Sequence, residues 1–282
     1  MGQEKIVVVT DSSCDLSKET LTKYNIHQMP FRIIYKDSEY LEKVTITPEE
    51  MYDRLPTEVP TTSLPDMDYS SKAIQALVDE GYTDIIVITI STVLSGTLGC
   101  LKLVCDGVGG ANYHFFDTLT LGYPVGVIVT QAAKMVQAGH SVFDVMEALP
   151  DIRKRTHGYI NVDTLDYLIK GGRLSKTAGA IGTVLNLKPI ITYNDEGLYT
   201  HSKPRGRKQA FKQLREILQE YLKKGPCEVW VPNANAYKEA QDFYDSIKDL
   251  DGVVSISIET IGAAMGIHTG PGVVSLVFYE CN

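Results

Sequence analysis

Hydroxyl side chains gathered at the ends of apolar runs are the main chemistry-bearing feature of this 282-residue sequence. Ser91–Thr97 (STVLSGT) follows Thr83–Ile90 (TDIIVITI), so a run of branched apolar residues passes directly into Ser91, Thr92, Ser95 and Thr97. Similar groups stand at Ser12/Ser13, at Thr61/Thr62/Ser63 ahead of Pro65, and at Thr118/Thr120. Serine and threonine donate hydrogen bonds without carrying charge, and Gly96 lets a ligand approach the backbone. The competing reading is that these hydroxyls only cap the following helices. Among the histidines, His268 stands out in Gly262–Gly272 (GAAMGIHTGPG), where four glycines suggest a loop lying close to a ligand. His27, His114, His140, His157 and His201 read as core or surface residues. Hydroxyls with an imidazole suit a carboxylate, because a buried carboxylate is costly unless hydrogen-bonded and charge-assisted bonds are the stronger kind. A ligand with an apolar tail of about 14 methylenes would add on the order of 10 kcal/mol by burial, before ordering costs. Composition by itself does not select such a ligand.

Other chemistries lack their motifs. The sequence contains no GxxxxGK[ST] loop, no GxGxxG after a strand, no HExxH, no GxSxG and no metal-ligand spacing of histidines. A formal net charge of −8 argues against nucleic acid as a general partner. The cysteines are Cys14, Cys100, Cys105, Cys227 and Cys281, an odd number without a CxxC pair, which points to a reduced, cytoplasmic compartment. The apolar part of the N-terminal segment is too short for a signal peptide, and no run reaches the ~18 apolar residues of a membrane span.

The elements that must position the hydroxyls follow from periodicity. Strands are expected at Lys5–Thr10, Gln28–Tyr35, Thr83–Ile90 and Tyr113–Phe116, with helices at Thr47–Leu55, Met67–Asp79, Leu98–Val104, Gly122–Gln137 and Ser141–Arg155. This alternation implies a parallel sheet covered on both faces, with several hydroxyl groups converging along its carboxyl edge. After Arg155 the pattern changes. Strands are expected at His157–Val162, Pro189–Tyr193, Leu198–His201, Glu228–Pro232, Val253–Glu259 and Val273–Tyr279. Helices are expected at Asp163–Lys170, Arg207–Lys223 and Tyr237–Lys248, Arg173-Leu174-Ser175 leads into Lys176–Leu185, and Ile261–Gly272 reads as a glycine-rich loop. The fold class is thus α/β with two domains: residues 1–156 around a parallel sheet and residues 157–282 around a mixed sheet.

VTDSSCDLS (Val9–Ser17), TTSLP (Thr61–Pro65), the LSGT of the hydroxyl loop, and DTLDYLIKGGRLSK with GIHTGPG together resemble the DegV family of bacterial fatty-acid-binding proteins, in order along nearly the whole chain. The resemblance implies two α/β domains with a long-chain fatty acid in the cleft between them. It implies no cofactor, no metal and no catalytic residues, since such proteins present the bound acid to a separate ATP-binding fatty-acid kinase subunit; transient contact with a membrane surface is compatible with that role. Carried over by motif, the carboxylate contacts are Thr62, Ser95 and His268, with Ser63, Ser91 and Arg173 as secondary candidates. Arg173 reads equally as a charge complementing a helix C-terminus. In the basic cluster 203–208, Arg205, Arg207 and Lys208 are candidates for docking the kinase, against a solvated helix entry.

Two places depart from the family pattern. Thr92, Val93 and Leu98 replace a serine, a glycine and an aromatic residue, and Gly122 and Pro124 stand where Ser-x-Gly is usual. Both fall where the acyl slot is expected. The rival reading is a Ser/His acyl hydrolase or transferase using Ser95 or Ser91 with His268, which needs Asp11 or Asp117 to orient the imidazole. A small-anion sensor is a third reading.

Overall fold

The computed structural model describes residues 4–175 and 186–281; the expected segment Lys176–Leu185 lies outside the described residues. The chain forms two compact units, Met1–Thr47 with Pro60–Lys154, and Pro48–Val59 with Arg155–Asn282. A cut at 156/157 therefore misses an excursion: twelve residues from the first half of the sequence pack with the second unit.

In chain order the first half contains β1 (Ile6–Asp11), a 3₁₀ turn (Ser12–Cys14), α1 (Lys18–Lys23), β2 (Ile26–Met29), β3 (Arg32–Ile34) and β4 (Glu39–Leu41). Next come α2 (Pro48–Arg54), β5 (Thr61–Ser63), α3 (Met67–Asp79), β6 (Asp84–Thr89), α4 (Thr97–Val108), β7 (Asn112–Asp117), α5 (Tyr123–Gln137) and α6 (Val142–Lys154). The main sheet of the first unit is parallel, in the order β2-β1-β6-β7. β6 (DIIVIT) is buried at every residue, as a central strand covered on both faces must be. Val7, Val9, Ile85 and Val87 point into a core with Ile74, Leu77, Leu101 and Val104 of α3 and α4. α5 packs on β1 and β6, and α6 on β7. Burying each such aliphatic side chain contributes roughly 1.5–3 kcal/mol.

The single strand expected at Gln28–Tyr35 is two strands. Pro30 carries no amide hydrogen for the ladder, and beyond it the chain leaves the parallel sheet. Arg32–Ile34 then joins a small antiparallel sheet, β4-β3-β5. Thr61–Ser63, expected only as a polar lead into a helix, is an edge strand of that sheet.

The second half contains β8 (Thr156–Asn161), α7 (Asp166–Lys170), β9 (Ile190–Asn194), β10 (Gly197–Ser202), α8 (Arg207–Leu222), β11 (Cys227–Ala234), α9 (Tyr237–Ile247), β12 (Val253–Thr260), α10 (Ala263–Thr269) and β13 (Val273–Glu280). Its sheet, β10-β9-β8-β13-β11-β12, is mixed: β11 and β12 are parallel and the other pairs antiparallel. Leu214 and Leu218 of α8 and Phe243 of α9 pack on Val229, Val231, Leu276 and Phe278 of the strands. The segment expected as a glycine-rich loop folds instead as α10.

Candidate functional site

In the first unit the carboxyl ends of β1, β6 and β7 are bonded to one another. Asp11, at the end of β1, is fully buried and accepts from the Ser13 amide (3.0 Å), the Ser13 hydroxyl and the Ile90 amide (2.8 Å). Burial raises the Asp11 pKa, and the hydrogen bonds only partly offset that rise. The Ser91 amide donates to Thr120 O (2.8 Å), and the Ser91 hydroxyl accepts from the Val93 amide (3.2 Å). Asp117, at the end of β7, accepts from the amide and hydroxyl of Thr92 and from the Leu119 amide (2.9 Å). Thr92, one of the family departures, is therefore a staple of the loop, and Ser91 shapes its turn.

The remaining hydroxyls of the loop do not cap α4. Its N-cap is Gly96, with no side-chain hydrogen bond to the helix, and Ser95 Oγ lies 2.7 Å from Thr97 Oγ1. Thr97 is itself the first helical residue and is buried. The first amides of α4 thus have neither an intrahelical acceptor nor a capping side chain, and they carry the positive end of the helix dipole.

The TTSLP turn lies against this loop. A Cβ built on Gly96 would stand 3.7 Å from Leu64 Cδ2, and the Cys100 thiol lies 3.7 Å from Pro65 O. Pairing with β3 sets Ile33 opposite Thr62 and Arg32 opposite Ser63. Arg32 donates to Ser63 Oγ (2.9 Å) and Leu64 O (3.3 Å) and pairs with Glu39 (3.2 Å). The sequence reading missed Arg32; an arginine between Phe31 and Ile33 in a strand was the available signal. Thr62, Ser63 and Ser95 are all half-buried.

In the second unit His268 lies near the end of α10 and is partly buried. Gly171, which caps α7, makes room for it: a Cβ there would come within 2.4 Å of His268 Nδ1. Arg173 donates to Gly171 O (2.5 Å), satisfying a carbonyl at the end of α7 while placing its charge near the imidazole. Burial, and then the Arg173 charge, lower the His268 pKa to about 4. The structure thus sets Leu64 and Pro65 of the TTSLP turn beside Gly96 and Cys100, next to Ser95, and His268 beside Gly171 with the Arg173 charge near it.

A folded pKa near 4 against an ordinary value of 6.5 has a sign that can be tested. Between these values the unfolded chain binds the additional proton. Stability is therefore full above about pH 6.5 and falls as the pH drops toward 4, by on the order of 3 kcal/mol. Urea unfolding of the ligand-free protein from pH 4.5 to 7 should show this dependence reduced in His268→Gln. An unchanged slope in the variant would contradict it, since His27 and His157, whose pKa values burial also lowers, are present in both proteins.

Among the basic residues, Arg207 is drawn into the fold. It donates to Asn161 Oδ1 (2.6 Å), to Asp163 and to Gly272 O (2.5 Å), and Lys188 joins it at Asp163 (2.8 Å). Arg205 and Lys208 are exposed. Among the described residues, no helix is long and apolar enough to cross a membrane.

Residues 5–281 match a family described as "Uncharacterised protein, DegV family". A DegV domain-containing protein of Clostridium perfringens is 44% identical over 274 residues, covering 97% of this chain and 98% of the relative. Among solved structures, DegV of Bacillus subtilis, described as a fatty acid binding protein, matches with a TM-score of 0.90 at 27% identity, over 99% of this chain and 100% of that one. A stearic-acid-binding protein from Eubacterium ventriosum matches with a TM-score of 0.82 at 26% identity, over 98% of each chain.

Proposed function

Since the chain belongs to the DegV family, we propose that it binds a long-chain fatty acid whose carboxylate is taken by the hydroxyls of Thr62 and Ser95 and by His268. The observation that carries this reading is the start of α4, where Gly96 stands at the N-cap with no side-chain bond, beside Ser95 and against Leu64 of the TTSLP turn. Unsatisfied amides, a helix dipole and uncharged hydroxyls together favour a carboxylate. A neutral His268 contributes an N–H donor instead of a full charge, and Arg173 adds positive potential beside it. Ser63 and Ser91 shape the site through Arg32 and the Val93 amide. The fatty-acid and stearic-acid binding of the structural relatives supports the ligand class.

The chain acts as a carrier without chemistry of its own. A histidine with a pKa near 4 is a poor general base at neutral pH. The two carboxylates that a Ser/His hydrolase would call on are engaged elsewhere: Asp11 holds Ser13 and Ile90, and Asp117 holds Thr92 and Leu119. The bound acid is presented to a separate ATP-binding kinase subunit, with exposed Arg205 and Lys208 as docking contacts.

Protein purified from a bacterial host, denatured and extracted into organic solvent, should yield a fatty acid by mass spectrometry. Absence of an acyl ligand, together with no uptake of added fatty acid, would overturn the reading. Hydrolysis of a chromogenic acyl ester that disappears in Ser95→Ala would favour the hydrolase instead.

A further inference from the structure

Helix α10 is wedged in place by contacts that its own sequence does not explain. A Cβ on Gly266 would come within 2.3 Å of Tyr52 Oη, 2.7 Å of Tyr52 Cζ and 2.9 Å of Met51 Cε. Such distances leave room for no side chain, so α2 and α10 meet at near-backbone contact. Tyr52 and Met51 are buried, and Tyr52 Oη donates to Ile261 O (3.2 Å), just ahead of α10. On the other side Gly270, at φ +78°, has the Tyr167 ring within 2.4 Å of its Cβ position. That conformation and that spacing both call for glycine. His268 lies between these two contacts in sequence.

The helix that supplies Tyr52 comes from the first half of the chain yet belongs to the second unit. Its segment, Pro48–Val59, runs on through Pro60 into β5, the strand that carries Thr62. We infer that Tyr52 is a positioning residue for His268. The binding readout below rests on the proposed fatty-acid reading; the titration readout does not.

The test uses the full chain in three variants. Tyr52→Leu removes the ring that supports α10, and Gly266→Ala drives a methyl group into that ring. Each should weaken fatty-acid binding by about tenfold, the loss of one charge-assisted hydrogen bond, and should move the His268 titration followed by NMR from near 4 toward 6.5. The double variant Tyr52→Leu/Gly266→Ala, in which the methyl occupies vacated space, should recover part of both. Should Gly266→Ala alone fail to fold, Tyr52→Leu and the double variant still decide. The inference is overturned if Tyr52→Leu binds and titrates like the parent protein, or if the double variant is no better than Tyr52→Leu. If the parent protein binds no fatty acid, the carrier reading fails, while the imidazole titration still decides the role of Tyr52.

Discussion

Replacing Thr62 and Ser95 together by alanine should weaken fatty-acid binding by at least about 100-fold, since each hydroxyl supplies a hydrogen bond to a charged group. The thermal unfolding midpoint should change by only a few degrees. Thr62 lies on the short edge strand β5, and the Ser95 hydroxyl is hydrogen-bonded to Thr97 Oγ1. Neither side chain belongs to the packed core of the first unit. The loss should be similar for acids of different chain length, because it arises at the head group. Calorimetric titration of delipidated protein measures it. Parent-like affinity in the double variant would remove both residues from the site.

Asp11→Ala should have the opposite profile: a large loss of stability, with binding lost as a consequence. Its carboxylate holds the Ser13 turn and the Ile90 amide at the point where β6 enters the hydroxyl loop. Truncation leaves those donors buried and unsatisfied, at a cost of about 3–5 kcal/mol. A fall in the unfolding midpoint on the order of 10 °C is expected. A midpoint within a degree or two of the parent would show that the loop does not depend on Asp11.

β6 and its loop were legible in the sequence because a fully buried parallel strand leaves an unbroken apolar run, and the turn at its carboxyl end shows as a change of residue type. The convergence of the Asp11, Ser91 and Thr118–Thr120 segments followed from parallel topology alone. β5 was not legible, since three residues paired with β3 through a distant register carry no periodicity. α10 was misread because its glycines looked like loop residues. Gly266 is set by the Tyr52 ring and Gly270 by the Tyr167 ring, so the requirement lies in neighbours remote in sequence. The membership of α2 in the second unit is hidden for the same reason. Thr92 changed meaning most: read as a departure in the acyl slot, it is bonded to Asp117 and belongs to the scaffold of the loop. The capping alternative could not be judged from sequence, because it depends on which residue stands at the N-cap of α4; in the structure that residue is Gly96, with no side-chain bond.

The proposed site takes the carboxylate of a long acyl chain. The most direct measurement compares, on delipidated protein, the affinities of a saturated long-chain fatty acid and the primary alcohol of equal length near pH 7. The acid should bind at least about tenfold more tightly than the alcohol, reflecting charge-assisted bonds at the head group over a common apolar contribution. Equal affinity for the two, or no binding of the acid, would contradict carboxylate recognition at this site.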